Sequence, residues 1–212
     1  MIESFSLLDA QNATLAMTGV YRRLKTKKAA YPVGYGGAAG DKPRRNATAK
    51  PIPLEVMQAL DLPPFDYKIR QNSANIPEIW DELRRKYVAL TPEEWVRQHV
   101  AQYLLRHLGY PRGLLSLERG HRYNQRQKRT DLVALGPDGH PLLLVECKRP
   151  TVPITPAVAQ QVATYNQTMR APYLLVTNGL THYCWRVDFE RGVNERLADI
   201  PTYAEAANVD RT

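Results

Sequence analysis

The stretch PLLLVECKRP, Pro141 to Pro150, constrains this chain more than any other. Its apolar run reads as the inside of a sheet, yet a carboxylate and an ammonium follow directly, with no turn residue between. An unpaired buried charge costs several kcal/mol or more, on the order of the whole stability of a domain, so Glu146 and Lys148 need partners. Just upstream, TDLVAL and PLLLVECK flank GPDGHP, a hairpin signature with Asp138 and Gly139 at its tip. With those two residues central, Pro137 faces His140, Leu135 faces Leu142, Val133 faces Leu144 and Asp131 faces Glu146. Side chains alternate along a strand, so Lys148 emerges on the face of Glu146. Leu132, Ala134, Leu143, Val145 and Cys147 line the other face and read as core.

Two carboxylates and one ammonium thus meet at the open end of a hairpin. Neighbouring carboxylates repel and push one another toward protonation. Two readings are open. In one, Asp131 and Lys148 form a cross-strand salt bridge while Glu146 is solvated. In the other, both acids face a divalent cation, and hard oxygen ligands at a rigid sheet edge suit Mg²⁺.

Around this hairpin the chain alternates between periods. PEIWDELRRKYVAL places Ile79, Trp80, Leu83 and Tyr87 at helical spacing. LTPEEWVRQHVAQYLLRHLGY predicts a helix with Thr91 as cap, Pro92 at the first position, Glu93 and Glu94 in the first turn and Gly109 past the end. Its buried stripe is Val96, Val100, Tyr103, Leu104 and Leu108. GLLSLERG predicts a strand ahead of the hairpin. TPAVAQQVATYNQTM opens with Thr155 and Pro156 as a second helix. YLLVT and THYCWRV, joined through Asn178-Gly179, make a second hairpin. The order predicts an α/β domain, a mixed sheet flanked by helices.

The 212 residues carry a net charge of +8, and residues 1–53 hold nine Lys/Arg against three Asp/Glu. From Tyr21 to Pro53 the chain is rich in Lys, Arg, Gly, Ala and Pro and has no apolar period, so residues 1–63 are expected to be a basic, flexible N-terminal arm, with 64–212 the folded domain. Residues 1–18 have weak helical character. Tyr21, Tyr31 and Tyr35 lie among the cations, where they suit stacking on bases. Cys147 and Cys184 give neither a disulfide framework nor a zinc knuckle, and the histidines lack ligand spacing. Neither a leader peptide nor an apolar run of membrane-spanning length is visible. A cytoplasmic protein without a membrane is expected.

RTDLVAL…LLLVECK resembles the D…ExK signature of the PD-(D/E)XK nuclease superfamily, with Asp131, Glu146 and Lys148 in its motif positions and Thr130 where the name has proline. QVATY, Gln161 to Tyr165, is similar to the QxxxY motif that follows ExK in type I restriction enzymes. The run from IWDELRRKYVAL to YLLVTNGLTHYCW looks like the N-terminal nuclease domain of type I restriction R subunits, over roughly residues 64–203. The resemblance implies a restriction-endonuclease-like core. These 212 residues contain no GxxxxGK[ST] loop and no length for a helicase motor, so a stand-alone form is expected.

What the resemblance implies for individual residues is specific. Asp131 and Glu146 hold Mg²⁺, for which Mn²⁺ substitutes, with the backbone carbonyl of Cys147 as a further ligand. Lys148 orients or helps deprotonate the attacking water. Gln161 and Tyr165, one helical turn apart, position Lys148 or touch the DNA backbone. An acid on the first helix completes the metal set; Glu93 and Glu94 compete for it, and Glu94 is preferred. Either one also simply complements the helix dipole. Arg97 and Arg129 are candidates for phosphate contacts, Arg97 alternatively pairing with Glu93, and Glu118 and Arg119 for support at the end of the first strand. The expected function is Mg²⁺-dependent hydrolysis of DNA phosphodiester bonds. The alternative is a nucleic-acid-binding domain with little or no cleavage, acting with separate motor or specificity subunits; a purely structural domain is a third reading. Oligomeric state is not legible.

Overall fold

A computed structural model describes residues 57–120 and 129–208. The expected weak helix at 1–18, the tyrosines of the basic arm and His121 lie outside the described residues. Among the described residues the elements run β1 (Ile69–Gln71), β2 (Pro77–Asp81), β3 (Lys86–Ala89), α1 (Pro92–Arg106), β4 (Leu115–Gly120), β5 (Arg129–Leu135), β6 (Pro141–Cys147), α2 (Pro156–Met169), β7 (Tyr173–Thr177), β8 (His182–Asp188), β9 (Val193–Leu197) and α3 (Tyr203–Ala207). The main sheet has the order β4-β5-β6-β7-β8-β9, and β1-β2-β3 form a small second sheet. Neighbours in the main sheet are antiparallel except β6 and β7, which run parallel. Helix α2 makes the crossover that a parallel pair requires. The result is the mixed sheet between helices that the sequence predicted.

Period-two alternation along β5 and β6 sorts their side chains into two cores. Leu132, Ala134, Leu143, Val145 and Cys147 bury with Val96, Val100 and Leu104 of α1. Val133 and Leu144 bury with Val162 of α2, and with Leu174 and Val176 of β7. Each fully buried aliphatic side chain contributes roughly 1.5–3 kcal/mol. Helix α1 starts as predicted, the Thr91 hydroxyl accepting from the Glu94 N–H at 3.0 Å. Gly109, with φ of 70°, follows its end in a left-handed conformation.

Three local expectations are corrected. Residues 77–90 form no helix; β2 and β3 are an antiparallel hairpin pairing Ile79 with Val88 and Trp80 with Tyr87. The turn decides it: Asp81 accepts from the Arg84 N–H and guanidinium, and Arg85 is left-handed at φ 54°. An aspartate that bonds its own following backbone competes with helix. In the first long hairpin, pairing holds as predicted from Leu132–Val145 to Ala134–Leu143, then shifts, so that Leu135 meets Pro141 rather than Leu142. Pro137 and Pro141 lack N–H donors, and the loop closes through Gly136 and His140 instead. The second hairpin has a four-residue loop, in which Asn178 accepts from the backbone of Leu180 and Thr181. Beyond these, β1, β9 and α3 were not anticipated. Packing also begins ahead of Pro64, since Leu62 is buried in the α1-side core.

Candidate active site at the open end of the β5–β6 hairpin

The β5–β6 ladder pairs up to Leu132 and Val145; Asp131 and Glu146 are the next residue of each strand, and alternation with Val133 and Leu144 sets them on the α2 face of the sheet. The two acids sit on neighbouring strands, both partly buried. Asp131 is anchored by the Cys147 N–H, which donates to Oδ2 at 2.6 Å. Glu146 accepts from the Lys148 ammonium at 2.5 Å. The backbone N–H of Lys148 donates to the carbonyl of Thr177, at the end of β7. That bond carries the sheet pattern one residue past β6 and keeps Lys148 on the face of Glu146. The salt-bridge reading, which paired Lys148 with Asp131 and left Glu146 solvated, is corrected: the lysine pairs with Glu146, which is partly buried.

The electrostatics follow from this crowding. Burial holds the Asp131 carboxyl above its ordinary value, against the lowering pull of the Cys147 N–H and of Arg97; Glu93 adds to the rise. Glu146 is raised as well, by burial first and by Asp131 second, with Lys148 opposing. Burial works against the Lys148 charge, but Glu146, with Asp131 and Glu93 behind it, outweighs that and holds the ammonium above its ordinary value. Both partners of this ion pair thus move upward: attraction dominates at the lysine, burial and the second carboxylate at the glutamate. Cys147 is fully buried, and burial pushes its thiol up, so it is a core residue whose backbone, not its sulfur, serves the site.

The remaining sequence candidates separate. The Glu94 carboxylate is buried and engaged by Arg97, by Gln98 at 2.8 Å and by Arg84 of the β2–β3 turn at 3.6 Å. Arg97 accordingly pairs with Glu94 rather than Glu93. The exposed Glu93, not Glu94, is the helix acid whose charge reaches Asp131. Tyr165 packs against the α2-side core, and its hydroxyl is buried with no hydrogen-bond partner among the described residues. Gln161, one turn earlier, is exposed. Arg129 opens β5 opposite Gly120, and Arg119 of β4 pairs with Thr130; the side chains of Glu118, Arg119 and Arg129 lie outside the described residues. Sequence reading missed Thr177, because a backbone acceptor leaves no compositional trace.

A hard divalent cation fits this donor set. Burial raises the proton affinity of both carboxylates, with Glu93 adding to the rise at Asp131 and Asp131 to that at Glu146, and a cation relieves the same strain that a proton would. Mg²⁺ needs only one or two carboxylates and keeps several waters. Among the described residues no group of three or more His, Cys, Asp or Glu side chains forms a metal site, so the fit rests on the two acids and the backbone.

No helix among the described residues is long and apolar enough to cross a membrane. No curated protein matches the chain. Among solved structures, a fragment described as an HsdR subunit of a type I restriction enzyme from Vibrio vulnificus YJ016 is similar at 20% identity and a TM-score of 0.41, over 54% of this chain and 24% of that one. The chain therefore spans about a quarter of that relative's length. Residues 92–201, from the start of α1 to the loop before α3, match the family described as type I restriction enzyme R protein N terminus (HSDR_N). The match takes in more than half of the 212 residues, and the chain belongs to that family.

Proposed function

We propose that this domain is a Mg²⁺-dependent nuclease that hydrolyses DNA phosphodiester bonds at Asp131, Glu146 and Lys148, with Mn²⁺ able to replace Mg²⁺. The observation that carries the reading is the convergence of two partly buried, mutually repelling carboxylates with an ammonium on one sheet face. Asp131, Glu146 and the Cys147 carbonyl would hold the ion, which lowers the pKa of a bound water and offsets charge developing on the phosphate. The chain's own residues do the rest. The Cys147 N–H fixes Asp131, and the Thr177 carbonyl fixes the backbone of Lys148. The Lys148 ammonium orients the attacking water and neutralises the phosphate. Tyr165 supports Lys148 from α2, with Gln161 at the exposed rim beside the DNA backbone. Glu94 serves the site indirectly, as counter-ion to Arg97, whose guanidinium lowers Asp131; Arg129 would supply a phosphate contact.

One observation favours the second reading, a binding subunit with little cleavage: one oxygen of the Glu146 carboxylate, Oε1, is held by Lys148. In either case the partners are DNA and, by family, separate motor or specificity subunits. Incubating wild type and Lys148→Ala with plasmid and single-stranded DNA, in Mg²⁺, Mn²⁺ or EDTA, tests both. Metal-dependent cleavage that falls by about 10²-fold or more in the variant is expected. Salt-sensitive binding without cleavage in any metal would replace the first reading with the second.

A further inference from the structure

The α2 face of the sheet continues past the carboxylates. Glu146 pairs with Val176, and Val176 with Tyr183, so one row of side chains runs from the candidate site to β8. Adjacent strands lie about 4.8 Å apart, which puts Tyr183 roughly 10 Å from Glu146 along the row. Trp185 is the next residue of β8 on this face, and it pairs with Arg196 of β9. The Tyr183 and Trp185 rings are stacked, with centroids 5.9 Å apart and planes 25° from parallel. The Arg196 guanidinium lies over the Tyr183 ring, 4.8 Å from its centroid. All three side chains are half-buried. Trp185 leans on the α2-side core, whereas Tyr183 is not part of that cluster.

We propose that Tyr183, Trp185 and Arg196 form a stacking platform for unpaired bases of the DNA strand whose phosphate lies at Glu146 and Lys148. Aromatic faces bind bases by stacking, irrespective of sequence, and the guanidinium adds attraction for the backbone. A duplex hides its base faces within the helix, so the occupant is a single-stranded or frayed segment. A polyanion suits a cation-capped ring, and the row of side chains makes the platform continuous with the site. The proposal rests on the nuclease reading for its substrate and extends it to a strand preference.

Binding measured without metal separates the two claims. The probes are a fluorescein-labelled thymidine oligonucleotide and a duplex of the same length, titrated in EDTA with the full chain and followed by anisotropy. Tyr183→Leu is expected to weaken single-strand binding about tenfold, Tyr183→Phe to leave it unchanged, and neither to alter duplex binding. Arg196→Gln, which leaves the sheet filled, is expected to weaken single-strand binding about threefold and keeps the test open if the leucine variant does not fold. Equal losses on single strand and duplex, or no loss in either folded variant, would overturn the platform. Single-strand binding with these losses, but no cleavage in Mg²⁺ by wild type, would remove the nuclease and keep the platform.

Discussion

At the scale of single residues the site behaves as a pair of carboxylates whose burial outweighs the positive charges beside them. Asp131 and Glu146 are both held above their ordinary values of 3.8 and 4.5, chiefly by burial. A raised acid favours the fold while it is protonated. That contribution is present below the unfolded values and lost as pH rises through the higher folded ones. At pH 7 without metal both groups therefore destabilise the protein. The double variant Asp131→Asn, Glu146→Gln is expected to melt roughly 2–4 °C above metal-free wild type, since asparagine still accepts from the Cys147 N–H. Mg²⁺ or Mn²⁺ should raise the wild-type melting temperature and leave the variant's unchanged. A variant that melts lower, and responds to the ion as wild type does, would disprove the electrostatic account. The pairing that leads to Asp131 and Glu146 was legible from the alternation along both strands, although the turn itself departs from the predicted one: the shift between Ala134 and Leu135 restores the predicted register from Ala134–Leu143 onward. The choice between Glu93 and Glu94 was not legible. Adjacent helix residues differ in direction by about 100°, and Arg97, which pairs with Glu94, stands three residues from Glu94 and four from Glu93, spacings that suit either acid.

At the scale of elements, α1 joins the two sheets. Its outer side carries Trp95 and His99 into a cluster with Phe65 and Tyr67, the His99 ring edge-on to Trp95 at 4.2 Å and to Phe65 at 4.8 Å. His99 Nδ1–H donates to the Trp95 carbonyl at 2.9 Å, and burial lowers its pKa to about 4. A depressed histidine stabilises the fold above its unfolded value of 6.5, and that stability is lost as pH falls toward 4. The loss is on the order of 3 kcal/mol. His182, also lowered by burial, acts in the same direction, and the two raised carboxylates act in the opposite one. Urea midpoints of wild type and His99→Phe between pH 7.5 and 4 isolate the residue: the variant should lose less stability on acidification, whatever its stability at pH 7.5. Parallel pH curves would rule His99 out. Both long helices were legible from Thr-Pro starts, and the β5–β6 hairpin from Asp-Gly between alternating runs. The β2–β3 hairpin was hidden because Ile79, Trp80, Leu83 and Tyr87 satisfy helical spacing too, while the Asp81 turn that settles it is a side-chain bond. Strand β9, VNERL, is a polar edge with little hydrophobic signal. Helix α3 did have a signal, the Thr202–Glu205 capping box, but spans only one turn.

At the scale of the molecule, a strap ahead of Pro64 ties these parts together. The Trp95 indole N–H donates to the Gln58 carbonyl at 3.0 Å. The Asp61 N–H donates to the Gly179 carbonyl at 2.7 Å, and the Asp61 carbonyl accepts from His182 Nε2–H at 3.1 Å. Because Nε2 carries the proton, Nδ1 of His182 accepts from the Thr177 hydroxyl, and Thr177 is the residue whose carbonyl holds Lys148. Gly179 is required under the strap: its φ is 82°, and a Cβ there would stand 2.8 Å from Leu60. Removing the strap uncovers Leu62, worth roughly 1.5–3 kcal/mol, and breaks three hydrogen bonds of about 1 kcal/mol each. A chain beginning at Phe65 should therefore be less stable by roughly 4–6 kcal/mol, whereas one beginning at Met57 should melt with the full chain. The same pair separates packing from charge. Residues 1–53 hold nine Lys/Arg against three Asp/Glu, so if they grip phosphates the Met57 chain loses DNA affinity and shows a shallower salt dependence at unchanged melting temperature. Equal stability of the Phe65 and Met57 chains, by urea denaturation, would show that the strap holds nothing. Unchanged salt dependence in the Met57 chain would confine DNA contact to the folded domain.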